Sequence, residues 1–183
     1  MRVVILNGNS NIQNSDFENY LQVLTNELKS NNVEVSVFNL ISHDLNYCVG
    51  CWTCWWKTPG ICVFNDAMIE IYKSVIKSDL VIFASPMIRG FESALLKKTK
   101  ERLIPLLHPY IEFRNGESHH KKRYPKFPKM AYLTQPESDT DKDDLKILED
   151  IQHRYALNFH SEIIFFETVD KPVKKLAYEL ITN

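Results

Sequence analysis

Glycine is scarce in this chain. Only five of its 183 residues are glycine, and none falls into a GxGxxG dinucleotide fingerprint or a P-loop with its lysine. Long apolar runs are missing as well. Nowhere do 18 consecutive apolar residues occur, and the opening Met1–Leu6 turns polar after six. Neither a membrane span nor a signal-peptide core is therefore expected, and the default location is cytoplasmic. Charge of one sign is also lacking. The net charge of −1 argues against a nucleic-acid binder, which would carry a strong basic patch. The nearest approach to one is His119-His120-Lys121-Lys122-Arg123, read as a solvated loop with a lesser chance of binding phosphate or a partner. The histidines at 43, 108, 119, 120, 153 and 160 show no metal-ligand spacing with a carboxylate and read as surface or loop residues. Repeats and low-complexity tracts are absent.

What is present is a regular alternation. Val3–Leu6, Leu80–Ala84 and Ile163–Phe166 are short apolar runs of the kind buried parallel strands show. Val33–Phe38 alternates more and reads as a strand nearer an edge, with Val33, Val35 and Val37 on one face; Met130–Leu133 is a fifth candidate. Helical stripes fall between them: Phe17, Tyr20, Leu21, Leu24 and Leu28; Met68, Tyr72, Val75 and Ile76; Ile147, Leu148, Ile151 and Tyr155; Val173, Leu176, Ala177 and Leu180. Ser15 with Glu18 reads as a capping box, Asp66 as an N-cap, and Pro172 as a first-turn residue. Strand–helix alternation implies an α/β three-layer sandwich with a five-stranded parallel sheet. The order expected is 2-1-3-4-5, flavodoxin-like, with the ligand crevice beyond the carboxyl ends of strands 1 and 3. The whole chain, 1–183, fits one domain. Two stretches stand out from the alternation: a cysteine-rich insertion at 47–65, and a long loop or arm at 108–128 without clear period.

Glycine placement is informative because there is so little of it. Gly8 follows strand 1 and Gly90 follows strand 3, the two crevice loops. The first loop, Gly8–Ser15, offers hydroxyls, amides and a helix N-terminus. Its candidate phosphate contacts are Ser10, Asn11, Gln13, Asn14 and Ser15. The second loop brackets Pro86, Met87, Ile88 and Arg89 between Ser85 and Gly90-Phe91, a set that could floor a flat ring. Arg89 could offset negative charge there or pair with Glu92.

All four cysteines fall within fifteen residues as C-x2-C-x2-C-x7-C: Cys48, Cys51, Cys54 and Cys62, with Trp52, Trp55 and Trp56 interleaved. A reducing compartment disfavours two structural disulfides. Three readings stay open: a [4Fe–4S] cluster, a zinc site, or a metal-free redox pair of Cys51 and Cys54.

Strand 1 with its polar loop, the cysteine run with Gly60-Ile61-Cys62-Val63 and Asp66-Ala67-Met68, and Ser85-Pro86 through Ser93–Lys97 to Arg102 together resemble the NAD(P)H-dependent FMN reductase group. Within it the chain is most similar to the iron–sulfur flavoproteins, over residues 1 to about 107. That resemblance implies FMN bound at the crevice and NAD(P)H as co-substrate. It further implies hydride chemistry on the flavin with no catalytic side chain, and a homodimer or tetramer. Ser10 and Asn14-Ser15 would then hold the FMN phosphate, and Pro86–Gly90 would contact the isoalloxazine. Cys48, Cys51, Cys54 and Cys62 would ligate the cluster. A small molecule or a redox protein such as a ferredoxin would accept the electrons; nucleic acid and membrane are not expected partners. The sequence departs from the group's usual pattern at Ile88-Arg89, where an aromatic pair is common, and at Glu101. A flavodoxin fold reduced to a binding module is the non-enzymatic alternative.

Overall fold

The computed structural model describes residues 1–182. Five strands form the parallel sheet: β1 (Arg2–Asn7), β2 (Glu34–Asn39), β3 (Leu80–Ile88), β7 (Lys129–Gln135) and β8 (Ile163–Thr168). They lie in the order β2-β1-β3-β7-β8, which is the expected 2-1-3-4-5. Their side chains alternate between two hydrophobic layers. Val3, Ile5, Leu80 and Ile82 pack with Phe17, Leu24 and Leu28 of α1 (Ser15–Ser30) and Leu176 and Leu180 of α6 (Val173–Thr182). Val4, Leu6, Val81 and Phe83 face the other way, onto α3 (Met68–Lys77), α4 (Ala94–Glu101) and α5 (Lys142–Asn158). Each such side chain buried whole contributes about 1.5–3 kcal/mol, so the sheet centre dominates the stability. No helix among the described residues is long and apolar enough to cross a membrane.

Several local expectations are corrected. Asn14, not Ser15, caps α1: its side-chain oxygen accepts from the Phe17 N–H. Glu18 turns away from the helix start and takes the side-chain amides of Asn7 and Asn9 instead. Pro172 sits just before α6, its carbonyl accepting from Leu176. Val37 faces solvent on the edge strand β2. On α5 the buried stripe is Leu148, Gln152 and Ala156, which leaves Ile147 and Ile151 exposed. The buried polar member is the reason: Gln152 accepts from Lys100 at 2.5 Å, and Lys100 pairs with Glu92 at 2.9 Å. A stripe read from apolar residues alone could not include it.

The segment 108–128 is no loop. β5 (Leu107–Arg114) and β6 (Glu117–Lys122) form an antiparallel hairpin. Its turn, Asn115-Gly116, has positive φ at both residues, the type I′ geometry that Asn-Gly favours. Arg154 of α5 grips Glu117 through both carboxylate oxygens, and the buried His160 ring contacts the His120 carbonyl. His119 and His160 are therefore buried against expectation.

Gly8 is required by packing. A Cβ there would lie 2.5 Å from the Leu96 Cβ and 3.3 Å from the Ala84 carbonyl oxygen. The Gly8 N–H meanwhile donates to that carbonyl, tying the end of β1 to β3. Gly8→Ala should destabilise the protein by about 1–3 kcal/mol in urea unfolding, as overpacking against an immobile Cβ does; an unchanged midpoint would contradict the close approach.

Candidate functional site

After β2 the chain leaves the sheet and does not rejoin it until β3. Two local devices turn it back on itself. Trp52 adopts a left-handed conformation (φ 55°) ahead of a single helical turn, α2 (Thr53–Trp56), and the Gly60 N–H (φ 84°) returns to the Cys54 carbonyl at 2.9 Å. The outcome is that Cys48, Cys51, Cys54 and Cys62 all line one cavity of about 50 Å³, walled by Trp52, Val63, Phe64 and Ile104. All four are free thiols. Their environments differ. Burial, then the neighbouring Cys62, Cys48 and Cys51, push the Cys54 thiol up to about 11. Hydrogen bonds from the Thr53 side chain and backbone draw the exposed Cys51 thiol down.

Arg102 forms the floor of this cavity and is 1% exposed. Its Nη1 donates to Asp66 Oδ2 (2.9 Å) and to the Asn46 carbonyl (2.8 Å), and its Nη2 donates to Asp66 Oδ1 (3.1 Å). Asp66 also accepts from the Asn46 backbone and side chain and from the Met68 N–H at the start of α3. Asp66 lies one residue before the N-cap position, Ala67, rather than at it, and its side chain still takes the Met68 N–H besides pairing with Arg102. Burial alone would raise the Asp66 carboxyl, but Arg102 and the Asn46 donors outweigh it and hold the group down at about 2. Arg102 was not among the site residues expected from sequence. The available signal was a single charge at the head of the apolar run Leu103–Leu107.

The second candidate region lies at the carboxyl ends of β1 and β3. Between β1 and α1, three side-chain oxygens each accept from an N–H two residues ahead: Asn7 from Asn9, Asn9 from Asn11, and Asn11 from Gln13. Ser10, Asn11, Gln13 and Ser15 are exposed along this loop, while the Asn14 side chain is tied to Gln135 at the end of β7 (2.7 Å). The other expected loop is strand and tight turn. β3 runs on to Ile88, Arg89-Gly90 make a turn with positive φ at both residues, and β4 (Phe91–Glu92) pairs back onto β3. Strand alternation carries Met87 into the core, away from the crevice, and leaves Pro86, Ile88, Arg89 and Gly90 at its edge. Glu137 braces the turn, accepting from the Gly90 N–H at 3.0 Å. Glu92, one of the alternatives the sequence offers for Arg89, is buried against Lys100 instead.

A family model for NADPH-dependent FMN reductase matches residues 1–122, from β1 through the hairpin. The chain belongs to that family. Among curated relatives of this reductase-family chain, an iron-sulfur flavoprotein of Archaeoglobus fulgidus is 36% identical over 99 residues, covering 54% of this chain and 44% of the relative. An iron-sulfur flavoprotein of Methanocaldococcus jannaschii is 32% identical over 107 residues, covering 58% and 52% respectively. The chain thus spans about half the length of the curated relatives it matches. Among solved structures, an NAD(P)H:quinone oxidoreductase from Methanothermobacter marburgensis superposes with a TM-score of 0.69 at 14% identity, covering 97% of this chain and 90% of that one. An FMN-dependent NADH-azoreductase from Bacillus anthracis, solved with FMN, gives 0.65 at 11% identity, covering 98% and 95%. At those identities the likeness shows the flavodoxin-like fold.

The depressed Asp66 carboxyl sets a pH dependence. A folded value of about 2 against an ordinary 3.8 contributes about 2–3 kcal/mol of stability. The sign follows from the depression: the contribution is complete above about pH 4 and is lost as pH falls through about 2. Urea unfolding at pH 7, 4 and 2.5 should show wild type losing this increment, while Asp66→Asn is weaker at pH 7 and lacks that part of the acid loss. Parallel pH profiles for the two proteins would contradict the pairing.

Proposed function

We propose that this chain is a flavoprotein oxidoreductase. It takes electrons from NAD(P)H through FMN at the β1/β3 crevice, holds a [4Fe–4S] cluster on its four cysteines, and passes electrons to a small molecule or redox protein. The observation that carries the reading is the convergence of four free thiols on one cavity in a chain of the FMN reductase family. The donor set fits the cluster in kind, since four free thiols line one cavity and four thiolates are what a [4Fe–4S] cluster requires.

The crevice residues fit the flavin in outline. Exposed hydroxyls of Ser10 and Ser15 at the open start of α1, with the Asn11 and Gln13 amides, would hold the phosphate. The Glu18 charge beneath is taken up by the Asn7 and Asn9 amides, which lessens its repulsion of an anion. Pro86, Ile88 and the Arg89-Gly90 turn would border the isoalloxazine, with Glu137 fixing the turn and Arg89 as the exposed cation. FMN supplies the hydride and one-electron chemistry, and a cluster supplies single-electron transfer. The protein's own part is to place the two groups and restrict water. We place the protein in the cytoplasm, where the thiols stay reduced, and as a homodimer or tetramer that would cover the exposed Tyr47, Trp52 and Trp56. The opposite shifts of Cys51 and Cys54 favour one second reading, a metal-free dithiol pair with Cys51 as the attacking thiol.

Protein purified without oxygen is expected to show flavin absorption with a broad shoulder near ~400 nm and about four irons per chain. Cys54→Ser should remove the iron absorbance while leaving flavin uptake. Ser10→Ala combined with Ser15→Ala should weaken FMN binding by about tenfold or more, through loss of hydrogen bonds to a charged group. Flavin without iron would select the dithiol reading. A colourless protein that takes up no added FMN would end the oxidoreductase reading and leave a binding module.

A further inference from the structure

The fully buried guanidinium of Arg102 donates three hydrogen bonds and leaves its Nε–H unpaired, near the Tyr72 hydroxyl that is unpaired as well. Nη1 and Nη2 are committed to Asp66 and the Asn46 carbonyl, whereas Nε has no partner. A buried N–H bound to a cation and left unpaired is costly, and such exceptions call for an acceptor. The group lines the same cavity as all four thiols. Phe64, whose ring centre is 5.2 Å from the guanidinium carbon, covers it on another side. Two locks keep the guanidinium from swinging to find another partner: the bidentate Asp66 pair and the Asn46 carbonyl.

The geometry points to Arg102 as a positioning and charge-compensating residue whose Nε–H donates to a sulfur in the thiol cavity. This rests on the cluster reading above. Four thiolates around an iron–sulfur core carry net negative charge, and the surroundings of the sulfurs, through hydrogen bonds and nearby charge, set the reduction potential. Asp66 offsets the Arg102 charge, but the Nε–H is directional. The role therefore concerns how easily the site accepts an electron, not whether it forms. Lysine is a poor substitute because its ammonium presents no second, fixed N–H once it pairs with Asp66.

The test uses wild-type protein labelled with ¹⁵N-arginine, prepared anaerobically and chemically reduced, so that no substitution can perturb the fold. Electron–nuclear double resonance on the reduced cluster is expected to show a weak ¹⁵N coupling and an exchangeable proton from the arginine. Iron present without an arginine coupling overturns the proposal and leaves the cluster reading standing. Iron absent after anaerobic reconstitution overturns both. Arg102→Lys and Arg102→Gln supply the second measurement, the midpoint potential at full iron content. Loss of the donor should lower the potential by about 59 mV, a tenfold shift in a one-electron equilibrium. Unchanged potentials in iron-loaded variants would also overturn the assignment.

Discussion

The Asp66–Arg102 pair is the constraint from which the arrangement of the thiol cavity follows. One carboxylate gathers two guanidinium contacts, the Asn46 backbone and side-chain amides, and the first N–H of α3. Asn46 lies just before Cys48, Asp66 lies just after Cys62, and Arg102 follows α4. A segment of about twenty residues with little regular structure is thereby pinned at both ends to the same cation. Such a pair stabilises less than its Coulomb energy implies, because both charges are taken from water. Its value is geometric. Losing either partner leaves a buried charge alone, so the two ends of the cysteine segment are held together or the structure rearranges around them.

The molecule carries a second buried pair that makes the contrast plain. Lys100 and Glu92 are also enclosed, and the carboxylate is met by Tyr132 while Gln152 accepts from the ammonium. The aromatic rings of Phe83, Tyr132 and Tyr155 surround that ammonium at 4.3–5.8 Å. Desolvation draws the Lys100 ammonium toward neutrality, and Glu92 opposes it. Every polar atom of this second cluster has a partner, and it fixes α4 and α5 against the sheet. The Arg102 cluster differs in leaving Arg102 Nε and the neighbouring Tyr72 hydroxyl unpaired, and Arg102 itself lines the thiol cavity.

The parts of this architecture that were legible in the sequence are those where one physical effect acts alone. Central parallel strands are buried on both faces, so Val3–Leu6 and Leu80–Ala84 read directly as apolar runs, and the strand order followed. The cysteine cavity was legible as spacing. Where two effects compete, apolar periodicity misled. The α5 stripe was displaced because buried Gln152 answers to Lys100, a partner fifty-two residues away. Pro86 and Gly90 look like loop punctuation around Met87, whereas β3 continues to Ile88 and its alternation turns the Met87 side chain inward. The hairpin was missed although Asn115-Gly116 stood in the chain, since basic and histidine residues on β6 mask the two-residue period. Arg102 needed knowledge of three segments at once, which no local pattern supplies.

Helix α4 gives these separate pieces a common frame. At its start, Ser93 caps the helix through the Leu96 N–H and donates its hydroxyl to the Gly8 carbonyl, while Leu96 occupies the space a side chain at position 8 would need. At its end, Arg102 reaches the cysteine segment and Trp55 donates to the Ile104 carbonyl. The eight residues between span about 12 Å at 1.5 Å per residue. The β1 loop and the thiol cavity are therefore attached to opposite ends of one short helix that buries one face. A rigid element of that length fixes their separation more firmly than two loops could. A flavin at one end and a metal cluster at the other would be held at a distance set by this helix and its packing.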